Sequence, residues 1–206
     1  MHYKSLAVIV TILFASSGCL DSLDDSLSGG FWGDDCSKDT SDCPENPAPA
    51  FVLIDQHDET VNLSQFEGKI VVMTFVYTHC PDVCPLTLYQ LAEANKKLAG
   101  AIDNLPRIIL VSVDPDRDSN EVLKKYVNAF GENVIGITGN IEELKKLTDQ
   151  LGIFFKANKH EGENNSVNHS AAVVVINEEA QFHAVFSAPH SIEQFVSDLP
   201  IIIKGS

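Results

Sequence analysis

Residues 69–98 read KIVVMTFVYTHCPDVCPLTLYQLAEANKKL: a strand pattern, a turn with two cysteines and a helix pattern in direct succession. Residues 69–77 are almost all apolar and largely β-branched, which is typical of a central strand covered on both faces. Over residues 86–98 the apolar side chains recur with helical spacing and predict a helix with one buried face. A strand that leads directly into a helix predicts an α/β fold with this strand near the centre of the sheet.

Further strand patterns extend this unit in both directions along the chain. Short apolar runs predict a hairpin formed by residues 51–54 and 60–63, around an acidic turn. Later runs with the same character predict further strands at residues 107–113, 134–138, 171–176 and 181–186.

Helix starts are indicated by capping-box spacing, in which a short polar residue precedes Glu or Gln by three positions. Three such pairs are present: Asp118 with Glu121, Asn140 with Glu143, and Ser191 with Gln194. Pro200 is expected to interrupt the last helix, because proline removes a backbone hydrogen bond from a helix interior. The alternation of strands and helices predicts a central mixed sheet with helices on both faces, and a thioredoxin-like fold matches it best.

Length and charge limit the class of protein. Residues 51–203 are enough for one domain with a substantial core, and a hydrophobic content of 44% is ordinary for a globular chain. The formal net charge is −15, with 14 basic and 29 acidic residues. Because a nucleic-acid binder needs clustered Lys and Arg to displace counterions, we expect no nucleic-acid partner.

The first residues have the pattern of an export signal. Lys4 precedes an apolar run at residues 6–15, and the small residues Ser-Ser-Gly then lead to Cys19. We predict that residues 1–19 are a signal peptide or lipoprotein anchor in which Cys19 becomes lipidated; an uncleaved short anchor is the alternative. Either one holds the domain at the cell membrane on the extracytoplasmic face, where disulfides are able to form.

Residues 20–50 differ in composition from the rest of the chain. Aspartates recur among Ser, Gly and Pro, and few apolar side chains are available for burial. Such a stretch cannot offset its ordering entropy, so we predict a flexible acidic tether. Cys36 and Cys43 lie in this tether, where they form either a local disulfide or a second metal site.

The chemistry is expected in the turn TFVYTHCPDVCP at residues 74–85. Cys80 and Cys84 follow a buried strand, and ligand sites of open α/β folds form at the carboxyl ends of strands. Pro85 is tolerated only in the first helical turn, so the helix is predicted to begin near residues 82–84. Its positive dipole end favours thiolates. The two sulfurs are then able to bind one soft ion, exchange with other disulfides, or form a plain structural disulfide.

This cysteine block resembles the signature of the Sco (SenC) family, thioredoxin-fold copper proteins of cytochrome c oxidase assembly. Residues 111–131, VSVDPDRDSNEVLKKYVNAFG, are similar to a second signature of that family. The short motifs GITG at residues 136–139 and VNHS at residues 167–170 fall where the family has corresponding motifs. The resemblance extends over about residues 48–200 in the expected order.

The resemblance implies a copper site made from Cys80, Cys84 and His169. Soft thiolates select Cu(I), while an imidazole keeps Cu(II) accessible, so the ligand set agrees with the metal. His169 is expected in a loop before the strand at residues 171–176. Asn168 stands where the family usually has Asp, and it adds a hydrogen bond without a charge beside the imidazole. Asp114, in the DP motif, is either a neighbour of the site or a turn residue.

Two functions follow from the resemblance. The first is a metallochaperone that delivers copper to the CuA centre of cytochrome c oxidase subunit II. The alternative is a thiol–disulfide oxidoreductase that keeps the target cysteines reduced, with Cys80 and Cys84 as the redox pair and no need for His169. A peroxidase of the peroxiredoxin class is disfavoured, because residues 71–78 contain no proline upstream of the attacking cysteine.

Overall fold

The computed structural model describes residues 46–158 and 166–204. Within them, the strands are β1 (Val52–Asp55), β2 (Thr60–Asn62), β3 (Val71–Val76), β4 (Arg107–Ser112), β5 (Val134–Thr138), β6 (Phe155–Asn158), β7 (Ser166–His169), β8 (Val173–Ile176) and β9 (Phe182–Phe186). The helices are α1 (Val83–Leu98), α2 (Asn120–Asn128), α3 (Ile141–Gln150) and α4 (Ile192–Lys204), with a short 3-10 helix at Leu63–Phe66.

Seven of these strands form one mixed sheet in the order β2-β1-β5-β4-β3-β8-β9. Strands β3, β4 and β5 run parallel to one another, whereas β8 is antiparallel to β3 and β9 is antiparallel to β8. The order β4-β3-β8-β9 with these directions is that of a thioredoxin-like core, and β5, β1 and β2 extend it on one side. The predicted mixed sheet is therefore confirmed.

The central strand β3 is buried along its whole length. All six of its residues are buried, and β8 shows the same pattern. A strand that alternates its side chains between two faces is buried throughout only when both faces are covered. Helix α1 packs against α4, and α2 packs against β5. The apolar run at residues 69–77 was therefore interpreted correctly.

The hairpin β1–β2 forms as predicted and joins the sheet through β1. Ile54 pairs with Thr138, the last residue of β5 and the third residue of the GITG motif. A Cβ atom on Gly139 would lie 2.5 Å from Cδ2 of Leu53, a side chain that is only 1% exposed. The glycine at this position therefore allows β1 to approach the end of β5 closely.

Two of the three predicted helix starts are confirmed by their hydrogen bonds. The Glu143 amide donates to Asn140 Oδ1 over 2.8 Å, and the Gln194 amide donates to Ser191 Oγ over 3.1 Å. The third prediction is wrong, because Ser119 rather than Asp118 caps α2 by accepting from the Val122 amide.

Two further predictions are corrected by the fold. Pro200 lies inside α4 rather than ending it; its missing N–H removes one backbone hydrogen bond, and this loss does not stop the helix, which continues to Lys204. His169, expected in a loop, is the last residue of β7. Strand β7 pairs with β6 in a separate two-stranded sheet, which the sequence patterns did not predict.

The N-terminal segments lie largely outside the described residues. This applies to the predicted signal or anchor, to most of the tether, and to Cys19, Cys36 and Cys43. Residues 46–48, at the end of the tether region, form backbone hydrogen bonds with residues 180–182. In residues 46–158 and 166–204, no helix has both the length and the apolar character that crossing a bilayer requires.

Candidate metal centre

The two cysteines lie between the end of β3 and the first turn of α1. Cys80 is partly exposed in the connecting loop, whereas Cys84 is the second residue of the helix and only 2% exposed. Both are in the reduced form. The Cys80 amide donates to the Tyr77 carbonyl over 3.0 Å, and the Cys84 amide donates to Cys80 Sγ over 3.5 Å. The loop therefore folds the Cys80 sulfur back onto the start of the helix.

The Cys80 sulfur takes the role of a helix cap. Asp82 occupies the N-cap position of α1, but its side chain makes no capping hydrogen bond. Instead, backbone amides at the helix start donate to the Cys80 sulfur. These amides have no intrahelical acceptor, and the helix dipole favours negative charge at this end. The predicted helix start near residues 82–84 is thus confirmed.

The two thiols differ in acidity. Burial alone would raise the pKa of Cys80, but hydrogen bonds from the Cys84 thiol and from the backbone amides of Asp82 and Cys84 outweigh it and lower that pKa. Burial, followed by the hydrogen bond that its thiol makes to Cys80, raises the pKa of Cys84 strongly. Of the two thiols, Cys80 therefore loses its proton more readily, and the Cys84 thiol donates a hydrogen bond to the Cys80 sulfur.

Asp118 fixes the loop that precedes Cys80. Its side chain is fully buried and accepts three hydrogen bonds, from the Thr78 amide at 2.9 Å, the Thr78 hydroxyl at 2.5 Å and the Ser112 hydroxyl at 2.6 Å. Exposed His79 lies with Nδ1 3.7 Å from the same carboxylate. This role explains why Asp118 does not cap α2: its oxygens are already occupied by residues from β4 and the cysteine loop.

Asp114 is linked to the cysteines through two intervening side chains. It is buried and forms an ion pair with Arg117. The Arg117 guanidinium carbon lies 5.7 Å from the centre of the Tyr77 ring. A hydrogen bond from the Tyr77 side chain is one of the contacts that lower the pKa of Cys80, after the larger contributions already described. Asp114 is therefore connected to the cysteine loop indirectly, through Arg117 and Tyr77.

Tyr126 is a neighbour of the site that the sequence patterns did not single out. It lies on α2, and its buried hydroxyl has no hydrogen-bond partner among the described residues. Burial raises its pKa strongly, and electrostatic interactions with Cys84, Cys80 and Asp118 raise it further. Tyr126 is therefore a buried hydroxyl on α2 that is coupled electrostatically to the cysteines.

The backbone of His169 reaches the same edge of the sheet as the cysteines. Strand β8 pairs antiparallel with β3, with Val173 opposite Thr74, so the start of β8 lies beside the end of β3. Cys80 follows the end of β3 by four residues, and His169 precedes the start of β8 by four residues. The fold thus brings the two segments to one edge although they are distant in sequence.

The side chains of Asn168 and His169 lie outside the described part of the structure, although their backbone does not. Asn168 pairs with Lys156 and His169 with Phe155 in the β6–β7 ladder. Among the side chains that are described, no three His, Cys, Asp or Glu residues converge on a metal position. The structure therefore brings Cys80 and Cys84 together, and it leaves the third predicted ligand as a prediction.

Comparison with known proteins identifies the family. A family model described as SCO1/SenC matches residues 40–204. The chain belongs to the SCO1/SenC family. A SCO2-like protein of Rickettsia felis is 33% identical over 152 residues, which cover 71% of this chain and 73% of that relative.

Solved structures of Sco proteins share the fold. The crystal structure of Arabidopsis thaliana ScoI with copper bound matches with a TM-score of 0.73 and 27% identity, over 77% of this chain and 99% of that one. BsSco, a member of the Sco family of cytochrome c oxidase assembly proteins with an identified disulfide switch, matches with a TM-score of 0.63 over 78% and 95% of the two chains. At 22% identity, BsSco supports the fold alone. The predicted thioredoxin-like Sco fold is confirmed.

Proposed function

We propose that this chain is a copper carrier of cytochrome c oxidase assembly that holds copper on Cys80, Cys84 and His169. The observation that supports this most strongly is the pair of hydrogen-bonded cysteines of unequal acidity at the start of α1. Two sulfurs in contact at a helix N-terminus are a donor set that suits Cu(I). The copper-bound Arabidopsis relative and the position of the His169 backbone at the same sheet edge add to this support.

The two cysteines have different parts in loading and release. Cys80 forms a thiolate more readily than Cys84, whose raised pKa means that it must lose its proton to become a ligand, so binding releases at least that proton. Cys80 is also the more exposed sulfur, and an incoming ligand of a partner reaches that side first. A site with three protein ligands keeps one side open, and ligand exchange through that side transfers the ion.

The proposed recipient is the CuA centre of cytochrome c oxidase subunit II. A recipient in a membrane complex suits a carrier whose residues 1–19 anchor it and whose residues 20–50 tether it. We propose lipidation of Cys19, a location on the extracytoplasmic face of the cell membrane, and a folded domain at residues 51–203.

Anaerobic titration with Cu(I) against a competing chelator tests the ligand set. Cys36 and Cys43 are replaced by serine in every sample, so that these two thiols do not compete for copper. We expect one tightly bound copper per chain, binding lost in Cys80→Ser and Cys84→Ser, and binding weakened in His169→Ala. His183→Ala is the matched control, because His183 bonds to the Ile202 carbonyl at the end of α4.

The outcome of this titration tests each proposed ligand separately. Loss of tight binding in both cysteine variants, with weakening in His169→Ala and none in His183→Ala, supports the three-ligand site. Tight binding that is indifferent to His169 would remove the histidine from the proposal. The absence of any tight binding would favour the second function.

The second proposed function is disulfide reduction, which the unequal acidity of the two thiols favours. The Cys80 thiolate attacks one sulfur of a partner disulfide, and the other partner sulfur leaves as a thiolate that takes up a proton. Cys84 then loses its proton and attacks Cys80, which breaks the mixed disulfide. The partner gains two electrons, and this chain is left with a Cys80–Cys84 disulfide.

Trapping of the mixed disulfide tests this second function. Cys84→Ser should accumulate a covalent complex with an oxidised CuA-domain peptide, because no second thiol resolves it. Cys80→Ser should form no such complex, and His169→Ala should retain full reduction. Equal trapping in both cysteine variants would contradict the assignment of Cys80 as the attacking group.

Labelling with a radioactive fatty acid tests the proposed anchor. In a bacterial host that processes lipoproteins, the chain should incorporate the label, and Cys19→Ser should not. Cys36→Ser is the matched control, since it removes a nearby cysteine without altering the processing site. Label retained in Cys19→Ser would show that another residue is lipidated and would contradict the assignment of Cys19.

A further inference from the structure

His190 connects three parts of the molecule at the edge of the sheet near the cysteines. Its Nε2 lies 2.6 Å from the Ala171 carbonyl oxygen. Its own carbonyl accepts a hydrogen bond of 2.9 Å from Nε2 of Gln90 on α1. Its ring stacks on Phe195 of α4, with the ring centres 5.4 Å apart. One residue thus joins the cysteine-containing helix, the terminal helix and the segment before β8.

The contact to Ala171 assigns the tautomer of His190. A carbonyl oxygen only accepts, so Nε2 must bear the proton. The other ring nitrogen, Nδ1, is buried and has no hydrogen-bond partner among the described residues. The ring is therefore held by its stacking on Phe195 and by one directed bond to the backbone at Ala171.

Ala171 is two residues after His169 and two before β8. A second contact also holds the segment between β7 and β8: the Ser170 amide donates to the Phe154 carbonyl over 2.8 Å. The direction in which β7 approaches the sheet edge therefore depends on where residues 170 and 171 are fixed. Gln90 lies on the same helix as Cys84, so His190 sets this direction relative to the cysteines.

We propose that His190 is a positioning residue that fixes the His169 segment against α1, through its bonds to Ala171 and Gln90. This inference rests on the proposed copper site, in which His169 is a ligand. His190 touches neither the metal position nor Cys80 and Cys84 in any described contact; it acts through the backbone that it holds. A ligand whose backbone is fixed loses less freedom when it binds, so affinity depends on the fixing residue.

Two substitutions of His190 separate its hydrogen bond from its packing. His190→Phe retains the stacking on Phe195 and removes the donor, whereas His190→Gln restores an amide N–H at a similar distance along the side chain. His183→Phe is the matched control, because it removes another histidine bonded to a backbone carbonyl, that of Ile202. Circular dichroism of each full-length variant checks that the fold is retained.

The first readout uses the chain without metal. In nitrogen–proton NMR spectra, the amides of residues 170–172 should exchange faster in His190→Phe than in the unsubstituted chain. His190→Gln and His183→Phe should leave their exchange unchanged. Unchanged exchange in His190→Phe would overturn the proposal without reference to copper.

The second readout is Cu(II) affinity, together with the nitrogen coupling in the electron paramagnetic resonance spectrum. His190→Phe should weaken Cu(II) binding about tenfold, the lower end of the range for residues that orient a ligand. In a His169→Ala background it should have no further effect, because the two changes then act on the same contact. An equal loss in both backgrounds would mean a general structural effect and would overturn the proposal.

A failure of the proposed function is recognised separately. If His169→Ala leaves copper binding unchanged, the three-ligand site is wrong. The positioning of the segment by His190 is then decided by amide exchange in the metal-free chain: faster exchange in His190→Phe and normal exchange in His190→Gln support it, and any other pattern contradicts it.

Discussion

The cysteine loop and the His169 segment meet at one edge of the sheet, but they are held there in different ways. The cysteine loop follows the central, fully buried strand β3, and the buried carboxylate of Asp118 accepts three hydrogen bonds that fix it. His169 ends a strand of a separate two-stranded sheet. Its segment is held by backbone bonds and by the side chain of His190.

This difference indicates that the cysteine loop and the His169 segment have different roles in the site. The sulfur pair is built into the core of the domain, and its acidity is already adjusted by the helix start. A two-stranded hairpin adds little stability by itself, so the histidine depends on its few attachments to the rest of the fold. We infer that the sulfurs supply most of the metal affinity, while the histidine segment adjusts it.

The largest expected effect is a difference in reactivity between Cys80 and Cys84. Because the pKa of Cys80 is lowered and that of Cys84 is raised, alkylation near neutral pH should modify Cys80 and leave Cys84 unmodified. The rate at Cys80 should rise with pH as the thiolate forms and level off at a lower pH than for a free cysteine peptide. Mass spectrometry of digests, with the urea-unfolded chain as control, measures both sites. Equal reaction at the two cysteines in the folded chain would contradict the account.

Removal of the Asp118 carboxylate should have the next largest effect. Asp118→Ala leaves the Thr78 amide, the Thr78 hydroxyl and the Ser112 hydroxyl without their acceptor. We expect the free energy of unfolding to fall by about 3 kcal/mol, from about 1 kcal/mol for each of the three donors that loses its acceptor. Urea denaturation measures this change. Asp116→Ala removes an exposed carboxylate from the same loop and should change stability little.

The smallest effect is expected at the cap of α2. Ser119→Ala removes the acceptor for the Val122 amide and should lower the free energy of unfolding by about 1 kcal/mol. The same urea measurement applies. Cys80 alkylation should be unchanged in this variant, whereas in Asp118→Ala it should be altered. If Ser119→Ala cost more than Asp118→Ala, the assignment of cap and loop support to these neighbouring residues would be reversed.

The sequence predicted the parts of the fold that local pattern determines. The β3–α1 unit, the β1–β2 hairpin and the starts of α3 and α4 follow from apolar spacing and from caps within three residues. Pro200 was given too much weight, because it removes one backbone hydrogen bond from α4 and the helix still continues to Lys204. The β6–β7 hairpin was missed since both strands are only four residues long and β7 contains a single apolar residue, Val167.

The part of the site that is formed by residues close together in the sequence could be predicted. Cys80 and Cys84 are placed together by the turn between β3 and α1. Asp118 was assigned as a cap because its spacing to Glu121 fits one, but Ser112 and Thr78, which it binds, come together only in the folded chain. No local signal indicated that His190 or Tyr126 lies near this edge, since the interactions that connect them to it join residues distant in sequence.

X-ray absorption spectroscopy of the copper-loaded chain tests the central claim most directly, because it reports the atoms bound to the metal. The account predicts two sulfur neighbours and one imidazole nitrogen in the unsubstituted chain. In His169→Ala the imidazole contribution should disappear while both sulfurs remain. An imidazole contribution that persists in His169→Ala, or a single sulfur neighbour in the unsubstituted chain, would contradict a site formed by Cys80, Cys84 and His169.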